Sequence, residues 1–485
     1  MSIAVACEQT NAQTTTADPA PNLVLSGDVT GAQNKTYFEV PFEVPAGKHR
    51  ISVDFRYTAR EQRAVLDLGI ADPTRFRGAS GGNKSHFTIS ETDATPSYLP
   101  GAIVPGTWRL LISVPNMRPQ VVSHYTAEIR FDARSEETGF ADRPLAIGKR
   151  WYRGDLHMHT AHSDGSCLSQ SGREVPCPLF LTVQTAAARG LDFIAITDHN
   201  TDSHFDDIRE LQPFYDRLLL IPGREMTTFH GHFNVFGVTQ FLDWRVSPGR
   251  LSLNEVLRDA LAKGGLASVN HAQAPEGEDC MGCGWAPAAD TDMGLFSAVE
   301  VINYGVIMFS SATYWDSQLR EGHRLAAVGG SDNHNATTPP GEPGSIGWPT
   351  TVIEAEELSV AAILHGIRSG RTFVDLTASR DKTLDFAAES GGASARMGET
   401  LHVVDGAQIQ VSIHAAAVQG STAHLYVDGE ESSAVPAMHL EGADASVTTT
   451  LTAAPGRHWL RVVVRDGAEK DQLISSPLYI NFAEK

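Results

Sequence analysis

The hydrophobic period of this chain changes twice along its length, and that change limits the folds open to it. From about Asn22 to Ala146, segments such as "KTYFEVPFEV", "HRISVDFRYT", "AVLDLGIA", "TWRLLISV" and "YTAEIRFDA" alternate apolar and polar residues between Pro-, Gly- and Asn-rich breaks. A period of two with turn punctuation predicts an antiparallel β-sandwich. The pattern returns from about Gly398 in "AQIQVSIHAA", "TAHLYVDGEE", "ASVTTTLTAA" and "HWLRVVVRDG", with "VDGE" as a hairpin turn. Between these regions the units are different. "TVQTAAARG" before "LDFIAIT", "SLNEVLRDALAKGG" before "LASVN", "SATYWDSQLREG" before "HRLAAVGG" and "SVAAILHGIRSG" before "RTFVDL" each set a helical pattern before a short apolar strand. Such units predict parallel βα structure, as a barrel or a doubly wound sheet.

A chain of 485 residues is expected to form more than one core, since single cores rarely grow beyond about 250–300 residues. The expected layout is a polar tether over 1–21, a β-sandwich over 22–148, the α/β domain over 149–385, and an Ig-like β-sandwich over 386–485. The formal charge of −20 argues against a nucleic-acid partner. No apolar run reaches the length of a transmembrane helix. Ala4-Val5-Ala6-Cys7 has the small–apolar–small–Cys form of a bacterial lipoprotein processing site, without the basic region and full apolar core of a signal peptide. It predicts an exported chain, periplasmic or on the outer surface, with Cys7 as lipid anchor; the alternative is a chance match in a cytoplasmic chain. Cys167, Cys177, Cys280 and Cys283 suit two disulfides better than a four-cysteine zinc site, because the Cys167–Cys177 spacing is too wide for the latter.

Residues able to do chemistry gather just after the strands of the middle region. "GDLHMHTAHSDG" supplies His157, His159 and Asp164; "FIAIT" runs into Asp198 and His199; "LLLIPGR" runs into Glu225; "HFNVFGV" opens with His232; "LASVN" runs into His271; and "LAAVGGS" runs into Asp332 and His334. In a parallel α/β barrel, such positions share one face. His157 and His159, like Asp332 and His334, are two residues apart, which puts both side chains of a pair on one side of an extended segment. Imidazoles and carboxylates without thiolates suit Zn, Mn or Fe in open coordination, and so many groups imply about two or three divalent ions. Singly, each motif has a bland reading: "SDG" is a common turn, and Glu225 a solvated acid. The joint pattern decides for a site. His162 and His230 are placed outside the ligand set, and Ser331, which lacks a nucleophile elbow, is read as structural.

In their order, "GDLHMHTAHSDG", "IAITDHN", "PGREMTT", "HGHFNVFG", "VNHA" and "GGSDNH" resemble the motif series of the polymerase and histidinol phosphatase (PHP) metallohydrolase superfamily over roughly residues 150–375. "GHFNVFG" and the flanking β regions resemble its carbaryl-hydrolase-like (CehA/McbA) branch. The resemblance implies a distorted (β/α)7, TIM-like barrel between the sandwiches. It implies one ion on His157, His159, Glu225 and Asp332, a second on Glu225, His232 and His271, and a third on Asp164, His199 and His334. Asp198 would orient His199.

The expected activity is hydrolysis by a metal-activated hydroxide. Asp164, His162 or His204 are candidates to protonate the leaving group, and Arg153, Arg173 and Arg224 to pair with phosphate oxygens. A small-molecule phosphoester is the favoured substrate. An aryl carbamate or ester, with Trp285 lining an aromatic pocket, is the alternative. A surface-binding protein with an inert barrel is a reading from another class.

Overall fold

A computed structural model describes residues 20–82, 84–132, 139–275, 282–305 and 309–483; Cys7 and Cys280 lie outside them. The chain divides into two compact units, one of Met1–Ser90 with Ser97–Ala133, the other of Glu91–Pro96 with Arg134–Lys485. The first holds two four-stranded antiparallel sheets. One orders Leu23–Thr30, Val122–Asp132, Arg50–Tyr57 and His86–Ser90. The other orders Tyr37–Val44, Gly106–Asn116, Val65–Ala71 and Phe76–Ser80. Alternation in "TWRLLISV" buries Trp108, Leu110, Ile112 and Val114 on one face.

In the second unit the helical patterns form helices at Leu179–Ala188, Leu253–Ala262, Ala312–Glu321 and Val360–Arg368. Their ends follow local chemistry. Ser252 and Glu255 form a capping box, and Gly322 closes Ala312–Glu321 in the left-handed conformation. The strands do not assemble as expected. A series of ladders joins Ala326–Gly330, Ala298–Asn303, Leu266–Val269, Gly231–Phe236, Leu219–Thr228, Phe193–Ile196, Ile147–Asp155, Thr350–Glu357 and Thr372–Asp375. Its last member pairs with Asp471–Ser475 from the C-terminal region. The ends of the series are tied by side chains: the Thr351 hydroxyl donates to the Gly329 carbonyl at 2.7 Å and the Thr372 hydroxyl to that of Ala327 at 2.7 Å.

This arrangement overturns the (β/α)7, TIM-like barrel. Five α-helices occur among the described residues, none longer than ten residues, and parallel and antiparallel pairs mix within one sheet system. The physical reason lies in the connections. Leu219–Thr228 returns as Gly231–Phe236 through the two residues Phe229 and His230, and so short a link permits only an antiparallel pair. Among the described residues, no helix is long and apolar enough to cross a membrane. Of the two expected disulfides, the one at Cys167 and Cys177 is corrected. Cys283 is disulfide-bonded, but Cys167 and Cys177 are buried free thiols on the hairpin of Ser166–Leu168 and Glu174–Pro176. Its ladder sets Cys167 opposite Val175 and ends at Pro176, one residue before Cys177.

Candidate metal centre

The ends of neighbouring strands are held side by side, and this gathers the site. The His159 N–H donates to the Asn333 carbonyl at 2.7 Å, and the Thr197 N–H to that of Met158 at 2.9 Å. His199 and Glu225 lie opposite each other in a parallel bridge. Glu225, 1% exposed, is the hub. Its Oε2 faces His157 Nε2 at 3.4 Å, His159 Nε2 at 3.4 Å and His199 Nδ1 at 3.0 Å. Its Oε1 faces His271 Nε2 at 3.1 Å and His232 Nδ1 at 3.3 Å. Asp332 Oδ1 approaches the Nε2 atoms of His157 and His159 at 3.3 and 3.2 Å. Asp164 Oδ2 faces those of His199 and His334 at 3.6 and 3.4 Å.

All nine expected ligands therefore fall into overlapping groups. These are His159, Asp164, His199 and His334; His157, His159 and Asp332; His157, Glu225 and His271; and His199, Glu225 and His232. Within each group the donor atoms lie within 4.8 Å of one another. His232 thus groups with His199 and His271 with His157, where the resemblance placed His232 and His271 together.

Three imidazoles are oriented from behind. His157 Nδ1 sits 3.0 Å from Glu300 Oε1, His271 Nδ1 donates to the Cys283 carbonyl at 3.1 Å, and His334 Nδ1 to the Asp332 carbonyl at 2.8 Å. A proton fixed on Nδ1 leaves the Nε2 lone pair pointing into the cluster. The backbone is strained at the same place, with positive φ at His271 and Asp332, each costing on the order of 1–3 kcal/mol.

Charge inside the cluster is unevenly shared. Burial alone would raise Glu225, but the imidazoles of His157, His199 and His232 hold its carboxyl well below the usual range. Burial pushes His199 down, yet Glu225 and Asp164 bring it up to about 10; for His334, Asp164 and Asp332 do the same, to about 9. Burial and the neighbouring His334 and His199 lower His159 to about 4. Even so, His157 Nε2, Glu225 Oε2 and His232 Nε2 are buried without a hydrogen-bond partner. Each such atom costs about 1–3 kcal/mol unless something else satisfies it, and lone pairs converging from imidazole and carboxylate fit divalent cations. Exposure rises from His157 (0%) through His199 (26%) and His334 (32%) to Asp164 (55%), which puts the mouth on the Asp164 side.

Several expected residues are elsewhere. Arg224 turns away from Glu225, its neighbour on the strand, because successive side chains face opposite sides. It is buried, donates to the carbonyls of Val238 and Gln240 at 3.1 and 2.8 Å, and burial lowers it to about 10. His162 sits with Nδ1 2.8 Å from Ser203 Oγ and Nε2 3.0 Å from Asp207 Oδ2, and joins none of the four groups. Asp198 accepts from the Thr160 N–H and hydroxyl and from Ser163 Oγ, so it shapes the Thr160–Ser163 loop rather than orienting His199. His204 is buried against the Gly223 carbonyl. Arg153 pairs with Asp375, Arg173 is exposed on the hairpin, and Trp285 packs edge-on against Phe233 and Phe296. Ser331 donates to the His157 carbonyl at 3.2 Å.

Glu300, Asn270 and Asn303 were missed. Glu300 accepts the His271 N–H and the Asn303 amide, both at 3.0 Å, and Asn270 donates to Glu225 Oε1 at 2.8 Å. A carboxylate inside the otherwise apolar run "AVEVIN" was the available signal.

No family model and no curated protein matches the chain. Among solved structures it is similar to a crystal structure from Bacteroides vulgatus, described as a two-domain protein containing a predicted PHP-like metal-dependent phosphoesterase. Identity is 19%, the match covers 70% of this chain and 100% of that one, and the TM-score is 0.37.

Proposed function

We propose that this chain is a metal-dependent hydrolase of the PHP type, acting on phosphoesters at a site for two or three divalent ions (Zn, Mn or Fe). The observation that carries this reading is the convergence of nine histidine and carboxylate residues into four overlapping groups, with His157 Nε2 and Glu225 Oε2 buried among them without a hydrogen-bond partner. Divalent ions held there would supply Lewis acidity, bringing the pKa of water toward neutrality and neutralising charge on both oxygens of an in-line displacement at phosphorus.

The chain's own part is positioning. Following the groups the structure brings together, His157, His159 and Asp332 would hold one ion, Asp164, His199 and His334 with His159 another, and Glu225 a further one with His157 and His271 or with His199 and His232. Glu300 fixes the His157 ring through Nδ1. Asp164, on the open side, is the carboxylate an incoming substrate meets, and it draws His199 and His334 toward the same space. The carbamate reading gains nothing from Trp285, whose ring packs in the core.

The test is metal content by mass spectrometry with turnover of p-nitrophenyl phosphate, bis-p-nitrophenyl phosphate and 1-naphthyl N-methylcarbamate, Zn or Mn being added. The expected result is about two to three ions per chain and phosphoester turnover that Glu225→Gln abolishes. Turnover of the carbamate alone would change the substrate class. No bound metal after supplementation would overturn the reading.

A further inference from the structure

The strand Ala326–Gly330 has Asp332 and His334 just beyond its C-terminal end. A cleft of about 510 Å³ opens at its other end, where Ala326 lines the wall. Three guanidinium groups, Arg324, Arg368 and Arg371, line it against one carboxylate, Glu399. The chain as a whole carries 58 acidic against 38 basic residues, so this cleft reverses the overall balance. Cations gathered in a recess repel one another unless an anion offsets them.

The partners of the three arginines differ. Arg371 is neutralised by Glu354 and Asp385, each at 3.0 Å. Arg324 donates to the carbonyls of Gly398 and Ala483 at 2.9 and 3.3 Å. Arg368 donates to the carbonyls of Gly264 and Gly265 at 2.8 and 2.9 Å, and none of its partners among the described residues is a carboxylate. Both bonds are made by Nη2, and carbonyl oxygens leave the guanidinium its full charge. Glu399 itself accepts the Arg396 N–H at 2.8 Å. Thr400 also lines the wall, and its Oγ1 is buried just behind it without a hydrogen-bond partner.

We infer that this cleft is a second ligand site, separate from the metal centre, that binds an oxyanion of the phosphate class. Guanidinium forks match two phosphate oxygens at once. At roughly 3.3 Å per residue, the strand between them sets the cleft some 15–20 Å from the metal centre. The two sites therefore bind independently, and the inference stands whether or not the chain is a phosphoesterase.

The test is calorimetric titration of the full chain with inorganic phosphate at low salt, after chelation of metal. Arg368→Gln is expected to weaken binding about tenfold or more, the effect of one lost charge-assisted contact. Glu399→Gln is expected to tighten it several-fold by removing the opposing charge, which keeps the site testable if Arg368→Gln folds poorly. Glu225→Gln is expected to leave it unchanged. Absence of millimolar binding, indifference to both cleft substitutions, or loss of binding in Glu225→Gln alone would each overturn the site.

Discussion

Glu300 is 3% exposed in the middle of an apolar strand, and a carboxylate there is tolerated only because three groups donate to it or face it. It holds His157 and the backbone of His271 at once. Glu300→Gln keeps the size and one acceptor but removes the charge that fixes the Nδ1 proton on His157. It is expected to weaken metal binding about 10–100-fold, measured by competition with a chromogenic chelator. His162→Ala, which alters a ring engaged by Ser203 and Asp207, is expected to leave metal affinity unchanged. Equal losses in both variants would mean that Glu300 acts through stability alone. Most of the grouping was legible because His157, His159, His199, Glu225, His271, Asp332 and His334 lie on or just after strands that still join through parallel pairs, whose ends share one face. Arg224 was misread because alternation, applied to His157 and His159, was not applied to Arg224 and Glu225. The turn of the chain after Thr160, which diverts His162 and gives Asp198 its partners, has no periodic signal to read.

At the scale of elements, the helices were legible and their assembly was not. Ser252, Ser359 and Gly322 mark helix ends through local hydrogen bonds or local backbone conformation, whereas strand direction depends on the length of the connection. The decisive link is Phe229-His230, which brings His232 back opposite Thr227, beside Glu225. Gly231 makes that return possible. Its φ is +123°, and a Cβ there would meet Trp285 Cε3 at 2.5 Å and the Trp285 Cα at 3.0 Å. Gly231→Ala is expected to destabilise the second unit by about 1–3 kcal/mol in chemical denaturation and to lower metal occupancy by displacing His232. Gly249→Ala provides the contrast. Gly249 also has positive φ, but nothing lies within 4 Å of the added carbon, so the variant reports conformational strain without the collision. Equal effects from the two substitutions would show that the contact with Trp285 does not position His232.

At the scale of the molecule, the C-terminal strands share a core with the metal centre. Met226, Phe233 and Val269, from strands beside Glu225, His232 and His271, belong to the same buried cluster as Trp459, Val463, Ile474 and Tyr479. A hint lay in "HWLRVVVR": from Trp459 to Val464 every residue is buried, which a strand covered on one face does not show. What it covers could not be read from its own residues. Arg461 identifies the join, reaching Asp316 on the helix Ala312–Glu321 at 2.9 Å with both side chains at most 10% exposed. Removing one member of such a pair strands a charge, so Arg461→Ala is expected to cost about 3–5 kcal/mol, whereas Arg461→Met with Asp316→Leu recovers most of the loss. Because the core is continuous, the C-terminal strands and the metal centre are expected to fail together. In denaturant, release of bound metal and loss of tryptophan fluorescence anisotropy should shift by the same amount in Arg461→Ala. If the metal is retained through the shifted transition, Arg461 and Asp316 fasten a region that unfolds on its own, and the shared core does not transmit its stability to the site.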